Sequence, residues 1–313
     1  MNLKLFVFLK RISKENTKSN YFKYKYAIFM MLFSGLSGSF MRLFIKSIHN
    51  IPEVELLIFQ YLPILLFAPI FIKKRKYVLF GKNKKVLFYR GFYGFFGGIF
   101  YIYAIQNLLL ADSAAISQLV PFFVILFSWY LLKEKLSINR VLILLFAFFG
   151  AMFIIRPSYN YVQFSALIGL LATAFTGLAH TFVRALRKTE PPIVIVNYHA
   201  YFSSVVSIFV LLITKTFVLP EIKQIIPLIF MGIFTFLTQI GFTYAYKLGP
   251  AKIVAPFSYF QIGFSIILGF IFFSEIPNIY SIFGMIIIVL SGLLNVSTLP
   301  QEISLNQAKD SHL

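Results

Sequence analysis

The sequence predicts an all-α integral membrane protein of ten transmembrane helices, folded as two inverted five-helix repeats, and three observations predict it. The first is composition. Of 313 residues, 59% are hydrophobic, 12% are charged and 40 are phenylalanine, whereas soluble domains run about 45–50% apolar and about 25% charged. The second is spacing: from Lys25 onward, apolar stretches long enough to cross a bilayer, about 17–25 residues, alternate with short breaks carrying Lys, Pro, Asn or Ser. The third is a register between the halves at an offset of 141 residues, which carries Tyr103-Ala104 onto Tyr244-Ala245.

The segment 1–25 is basic, and its apolar run from Leu5 to Leu9 is too short for a secretory core, which needs about 7–15 residues. It reads as a cytoplasmic segment with no cleavage site. The first five spans follow at 26–46, 52–72, 86–107, 111–132 and 139–156, and the second five at 163–186, 192–214, 224–246, 250–273 and 277–297. They are read as helices because lipid offers the backbone no hydrogen-bond partners and the alternation of barrel strands is absent. Residues 298–313 form a tail. The repeats are 26–156 and 157–297. Pro63 and Pro121 are expected to kink their helices and free a carbonyl. Gly94 and Gly98 carry the spacing that permits close helix approach.

The bases set the orientation. In a soluble protein a net charge of +19 would suggest nucleic acid, but here 23 of the 29 Lys and Arg lie in the N-terminal segment, the even-numbered links and the C-terminal tail. Cytoplasmic connections retain such residues. Both termini are therefore expected in the cytoplasm, which requires an even number of spans, and no nucleic-acid partner is implied. Arg42, Lys46, Arg156, Lys215 and Lys223 fall on the other side, and Arg90 inside span three.

The register extends beyond the Tyr-Ala pairs: Ser117 falls on Ser258, Glu134 on Glu275, and Gly150-Ala151 on Ser291-Gly292. With five spans in each half, the halves enter the membrane in opposite senses. Glu134 then belongs to a cytoplasmic link and Glu275 to an external one, each as a hydrated terminus or a cap. Inverted repeats of this kind are common among secondary transporters, with the solute site between the halves near mid-membrane.

Arg90-Gly91, Tyr103-Ala104, Ala111-Asp-Ser-Ala-Ala-Ile-Ser117, Pro121, Lys133-Glu134-Lys135-Leu136 and Gly150 resemble the first EamA repeat of the drug/metabolite transporter superfamily. Tyr244-Ala-Tyr-Lys-Leu-Gly-Pro250, Pro256, Glu275 and Gly292 are similar to the second. The resemblance covers about residues 26–297. It implies ten helices, small organic solutes, alternating access, and a central cavity along spans four and nine. One departure stands out: many members carry an Arg in the second span, where this chain has Gln60.

Polar side chains inside spans are the default site candidates because they cost free energy unless paired or facing a cavity. Gln118 in span four has Tyr259 as its repeat equivalent in span nine, close to Gln261. These residues either line the solute pathway or bond helix to helix. His180 and His199 lie at similar depth on adjacent spans, and either couple a proton to transport or are neutral imidazoles bonded to carbonyls. Arg90 either snorkels to the headgroups or pairs with Glu134 as a gate. Tyr101, Tyr103 and Tyr244 offer faces for stacking, and Gln239 is matched by Gly98 in the other half, an asymmetry suited to an asymmetric solute. Tyr246 reads as an interfacial tyrosine.

No Cys, no HExxH and no pair of mid-membrane carboxylates is present, so metal, cofactor and acid–base catalysis have no visible seat. A membrane enzyme built on Ser258 and a histidine remains an alternative without an acid to orient the base. The leading expectation is a secondary transporter of the bacterial inner membrane, partnered by a small solute and lipid, with monomer and homodimer both open. The scarcity of charge within the spans favours a neutral or zwitterionic amino acid or a related compound over a polyanion. S-adenosylmethionine uptake is the alternative, because AT-rich codon usage of the kind suggested by Phe, Ile, Lys and Asn accompanies such relatives in some bacteria.

Overall fold

The structure is a computed structural model that describes residues 3–133, 137–155, 161–186, 189–249 and 251–310, and no strand occurs among them. Helices run in the order α1 (Leu3–Ser47), α2 (Glu53–Lys74), α3 (Lys84–Asn107), α4 (Leu110–Ser117), α5 (Val120–Leu132), α6 (Ile138–Ile155), α7 (Tyr161–Leu186), α8 (Pro192–Thr214), α9 (Ile222–Leu248), α10 (Ala251–Val254), a 3-10 turn (Ala255–Tyr259), α11 (Phe260–Phe273) and α12 (Ile279–Asp310). Basic residues before Tyr24 continue into α1 as helix.

Eight stretches among the described residues are long and apolar enough to cross a membrane, and a ninth, Ile279–Asn295, is apolar but shorter. Helix α3 has the length; its glycines, tyrosines, Arg90, Gln106 and Asn107 keep it less apolar than the eight. Burying such a helix among others removes the need for a greasy exterior. It packs most extensively on α7 and also on α8.

Two expected spans are broken, and at matching points. Span four divides at Gln118-Leu119 into α4 and α5, with Pro121 in the first turn of α5, where a missing N–H costs nothing. Span nine runs from α10 through the 3-10 turn, which contains Pro256 and ends at Tyr259, into α11. Gln118 and Tyr259 are equivalent under the 141-residue offset. So are Lys133 and Ser274, the left-handed residues that close α5 and α11 at φ 55° and 53°. Pro63, by contrast, lies inside an unbroken α2.

Packing follows the same equivalence. The pairs α3 with α7 and α9 with α1 exchange when the halves are exchanged, as do α1 with α11 and α7 with α5, and α2 with α9 and α8 with α3. The pairs α2 with α8 and α6 with α12 map onto themselves. The halves thus interleave in their packing. One apolar cluster joins α3–α7 to α11, α12 and Tyr259. Another joins α1, α2, α3, α8 and α9. Phenylalanines fill the seams, with Phe40 stacked on Phe234 and Phe44 on Phe230 at centroid distances of 5.0 and 5.2 Å.

Candidate functional site

Polar groups converge where α1, α2, α3, α4, α8 and α11 meet. Arg42 of α1, assigned from sequence to the outer flank, is 2% exposed. One of its Nη atoms donates to Ser117 Oγ of α4 at 2.8 Å, and the other to Gly38 O at 3.3 Å. Its guanidinium lies 5.4 Å from the ring centroid of Tyr101 on α3, within cation–π range. Its Nε has no partner among the described residues.

Arg90 does not snorkel. It is 8% exposed, and its side chain folds forward along α3 to Gly94. An ideal Cβ at Gly94 would stand 2.8 Å from His199 Nδ1 and closer still to an Arg90 Nη, so only glycine leaves room for both groups. The other half of the expected gate, Glu134, lies outside the described residues. Tyr61 of α2 shares a hydrogen bond with His199 Nε2 at 3.0 Å, and His199 Nδ1 shares one with Ser203 Oγ at 3.3 Å. Either ring nitrogen can be the donor. Arg90 Nη and the His199 ring thus crowd Gly94, and the Tyr61 hydroxyl lies 3.8 Å from where a Cβ on Gly98 would stand, one turn further along α3. His180 itself is exposed on α7, while His199 is buried.

The broken spans touch beside this cluster. Gln118 Nε2 donates to Ser258 O and to Gln261 Oε1, each at 3.3 Å. Ser39 of α1 reaches both Gln261 O and Ser265 Oγ at 3.1 Å. Tyr259 is buried, with its phenol against Gly292 of α12. Tyr103 is half-buried on α3. Gln239 and Tyr244 are exposed on α9, Tyr244 beneath Lys247 Nζ at 5.5 Å, and neither has a hydrogen bond or ring contact to the cluster among the described residues. Tyr246 packs on Phe242.

Of the residues named from sequence, the structure brings Tyr101, Gln118, Gln261, Arg90 and His199 into one region, together with Arg42, Tyr61 and Ser203, which sequence reasoning omits. Arg42 carried a signal: it stands several residues inside its own span, where a base needs a partner. The scarcity of charge expected within the spans is corrected by Arg42 and Arg90 together. Of the two expectations for Glu275 the cap is the one observed: it pairs with Lys46 and accepts from Leu110 N–H at 2.7 Å, capping α4. No group of three or more metal-ligating side chains occurs among the described residues.

An interleaved helical bundle with broken helices and a polar, cation-bearing interior defines a multi-pass membrane transporter. The EamA-like transporter family matches residues 22–156 and 163–297, and the chain belongs to that family, within the drug/metabolite transporter superfamily; it is a transporter and not an enzyme. It is 28% identical over 270 residues to the pseudopaline exporter CntI of Pseudomonas aeruginosa, covering 85% of this chain and 94% of that one. It is 26% identical over 282 residues to human solute carrier family 35 member G1, covering 85% and 77%. A riboflavin transporter of Brucella anthropi is 30% identical over 184 residues, 57% of this chain and 64% of that one. A solved crystal structure shares the fold with a TM-score of 0.57 at 16% identity, over 90% of this chain and 97% of the other.

Proposed function

We propose that the protein is a secondary transporter that moves a small organic metabolite across the bacterial cytoplasmic membrane by alternating access. The chain crosses the membrane ten times as two inverted five-helix repeats, with both termini cytoplasmic. The observation that carries this reading is the pair of helix breaks at Gln118 and Tyr259, equivalent in the two halves and in contact across them. Discontinuous helices at a repeat interface are the usual seat of a solute site. The less apolar α3 fits the ten-span reading because α7 and α8 cover it, and the unequal distribution of bases supports the orientation.

The solute in this reading is a neutral or zwitterionic amino acid or a related compound. Among the relatives, one is named for pseudopaline export and another for riboflavin transport, so a polar metabolite accords with the family's range. S-adenosylmethionine brings a sulfonium charge beside two buried guanidinium groups, which disfavours it. Reconstitution into liposomes with labelled amino acids, riboflavin and S-adenosylmethionine tests the reading. Saturable flux of at least one solute is expected; flux equal to that of empty liposomes for every solute overturns it.

A further inference from the structure

Arg42 and Arg90 are each more than nine-tenths buried, and among the described residues no ion pair joins either to a carboxylate. Glu275, Glu190 and Glu55 are committed elsewhere, and Asp112, buried on α4, forms no ion pair with either arginine among the described residues. Glu275 pairs with Lys46, Glu190 accepts from the N–H groups of Lys82 and Asn83 at 2.6 and 2.7 Å, and Glu55 accepts from Val218 N–H at 3.1 Å. Arg42 spends donors on Gly38 O and Ser117; among the described residues Arg90 makes no hydrogen bond, and the Nε of each is unpartnered. A desolvated cation held this way in a membrane protein marks a place where an anion arrives.

The two guanidinium groups are stacked along one helix. Arg90 reaches the level of Gly94 and Arg42 the level of Tyr101, residues on α3 separated by about 10 Å along its axis. Tyr61 lies between them, its hydroxyl 3.8 Å from where a Cβ on Gly98 would stand. Each guanidinium stands alone as a single positive charge. One carboxylate neutralises one guanidinium through its planar fork, whereas a phosphate dianion at either would leave buried negative charge.

We propose that Arg42 and Arg90 are two carboxylate-binding positions on the solute pathway, so that the transported solute is a carboxylate-bearing organic anion or zwitterion. A molecule with carboxylates at both ends spans them, and one with a single carboxylate passes from one to the other. The inference rests on the transport reading above and narrows it.

The test uses the full chain, purified and reconstituted, with linear α,ω-dicarboxylates of increasing length, their diamides, amino acids with their amides, and inorganic phosphate as probes. Thermal stabilisation in detergent and counterflow in liposomes are both read. Carboxylates are expected to stabilise the protein and to exchange, and the amides to do neither. Arg42→Gln and Arg90→Gln each weaken binding by about 30-fold or more, as removal of one partner from a buried charge pair does. Arg42→Lys and Arg90→Lys, which keep the charge, fold and retain part of the affinity. Amides binding as well as acids, phosphate binding in place of carboxylates, or Gln variants with unaltered affinity would overturn the proposal while leaving transport intact. Saturable flux confined to solutes without a carboxylate would overturn it equally. Neither binding nor flux with any probe overturns this proposal and the transport reading together.

Discussion

Lys46 on α1 and Glu275, just beyond the end of α11, form an ion pair at the mouth of the bundle, and the same carboxylate caps α4 through Leu110 N–H. Lys46 Nζ also donates to Leu108 O, so one contact ties together three separate stretches of chain. Both side chains are largely buried, 13% and 11% exposed. Removing one partner strands the other's charge. Glu275→Gln is expected to lower unfolding stability by about 3 kcal/mol, read as a fall in melting temperature in detergent. Lys46→Met combined with Glu275→Leu is expected to lose less than the single variant. A double variant as unstable as the sum of its parts would refute the pairing.

Gly232 of α9 faces the turn of α2 that Pro63 loosens. Proline has no N–H to offer Phe59 O, and an ideal Cβ at position 232 would stand 2.9 Å from that oxygen and 3.0 Å from the proline ring. Gly232→Ala should therefore cost about 1–3 kcal/mol as overpacking, measured by thermal unfolding. Pro63→Ala removes the ring and restores the helical hydrogen bond, so the double variant should regain much of the loss.

Gln118 bridges the two broken spans by hydrogen bonds of 3.3 Å. Helix-to-helix bonds of this kind contribute about 1 kcal/mol or less in membranes. Gln118→Ala is expected to change melting temperature little and to raise KM for the transported solute several-fold. A large stability loss with unchanged KM would make Gln118 purely structural.

Either proton coupling or a neutral structural role was expected of His180 and His199; we propose coupling through His180, the exposed one of the two. His180→Gln should abolish accumulation driven by an imposed pH gradient and leave downhill exchange running. Uphill accumulation at the wild-type rate in that variant would remove His180 from the coupling path.

Much of the fold was legible because lipid leaves the chain few options: apolar stretches of spanning length become helices, and apart from the start of α1 and the end of α12 their ends fall within a few residues of expectation. The repeat was legible through rare residues in register, and Gln118 and Tyr259 indeed mark equivalent breaks. Arg42 and Arg90 were misread for a common reason. Counting bases by sequence position treats an arginine near a helix end as surface-directed, but the direction of its side chain depends on neighbours far along the chain. Gly94 leaves space for Arg90 to turn inward, and Ser117 and Tyr101 wait for Arg42. Glu275 found its cation in Lys46, remote in sequence, which no local charge count reveals.

The interleaved packing has a consequence for how the protein is made. Its most extensive helix pairs, α3 with α7, α1 with α9, α6 with α12 and α2 with α8, each take one member from either half. The ribosome releases the first half before the second exists. During that interval α3 has neither α7 nor α8 to cover it, and Arg90 has no His199 beside it. A nascent chain ending after α6 is thus a set of loosely associated helices exposed to quality-control proteases, and assembly waits for α7 and α8 to emerge.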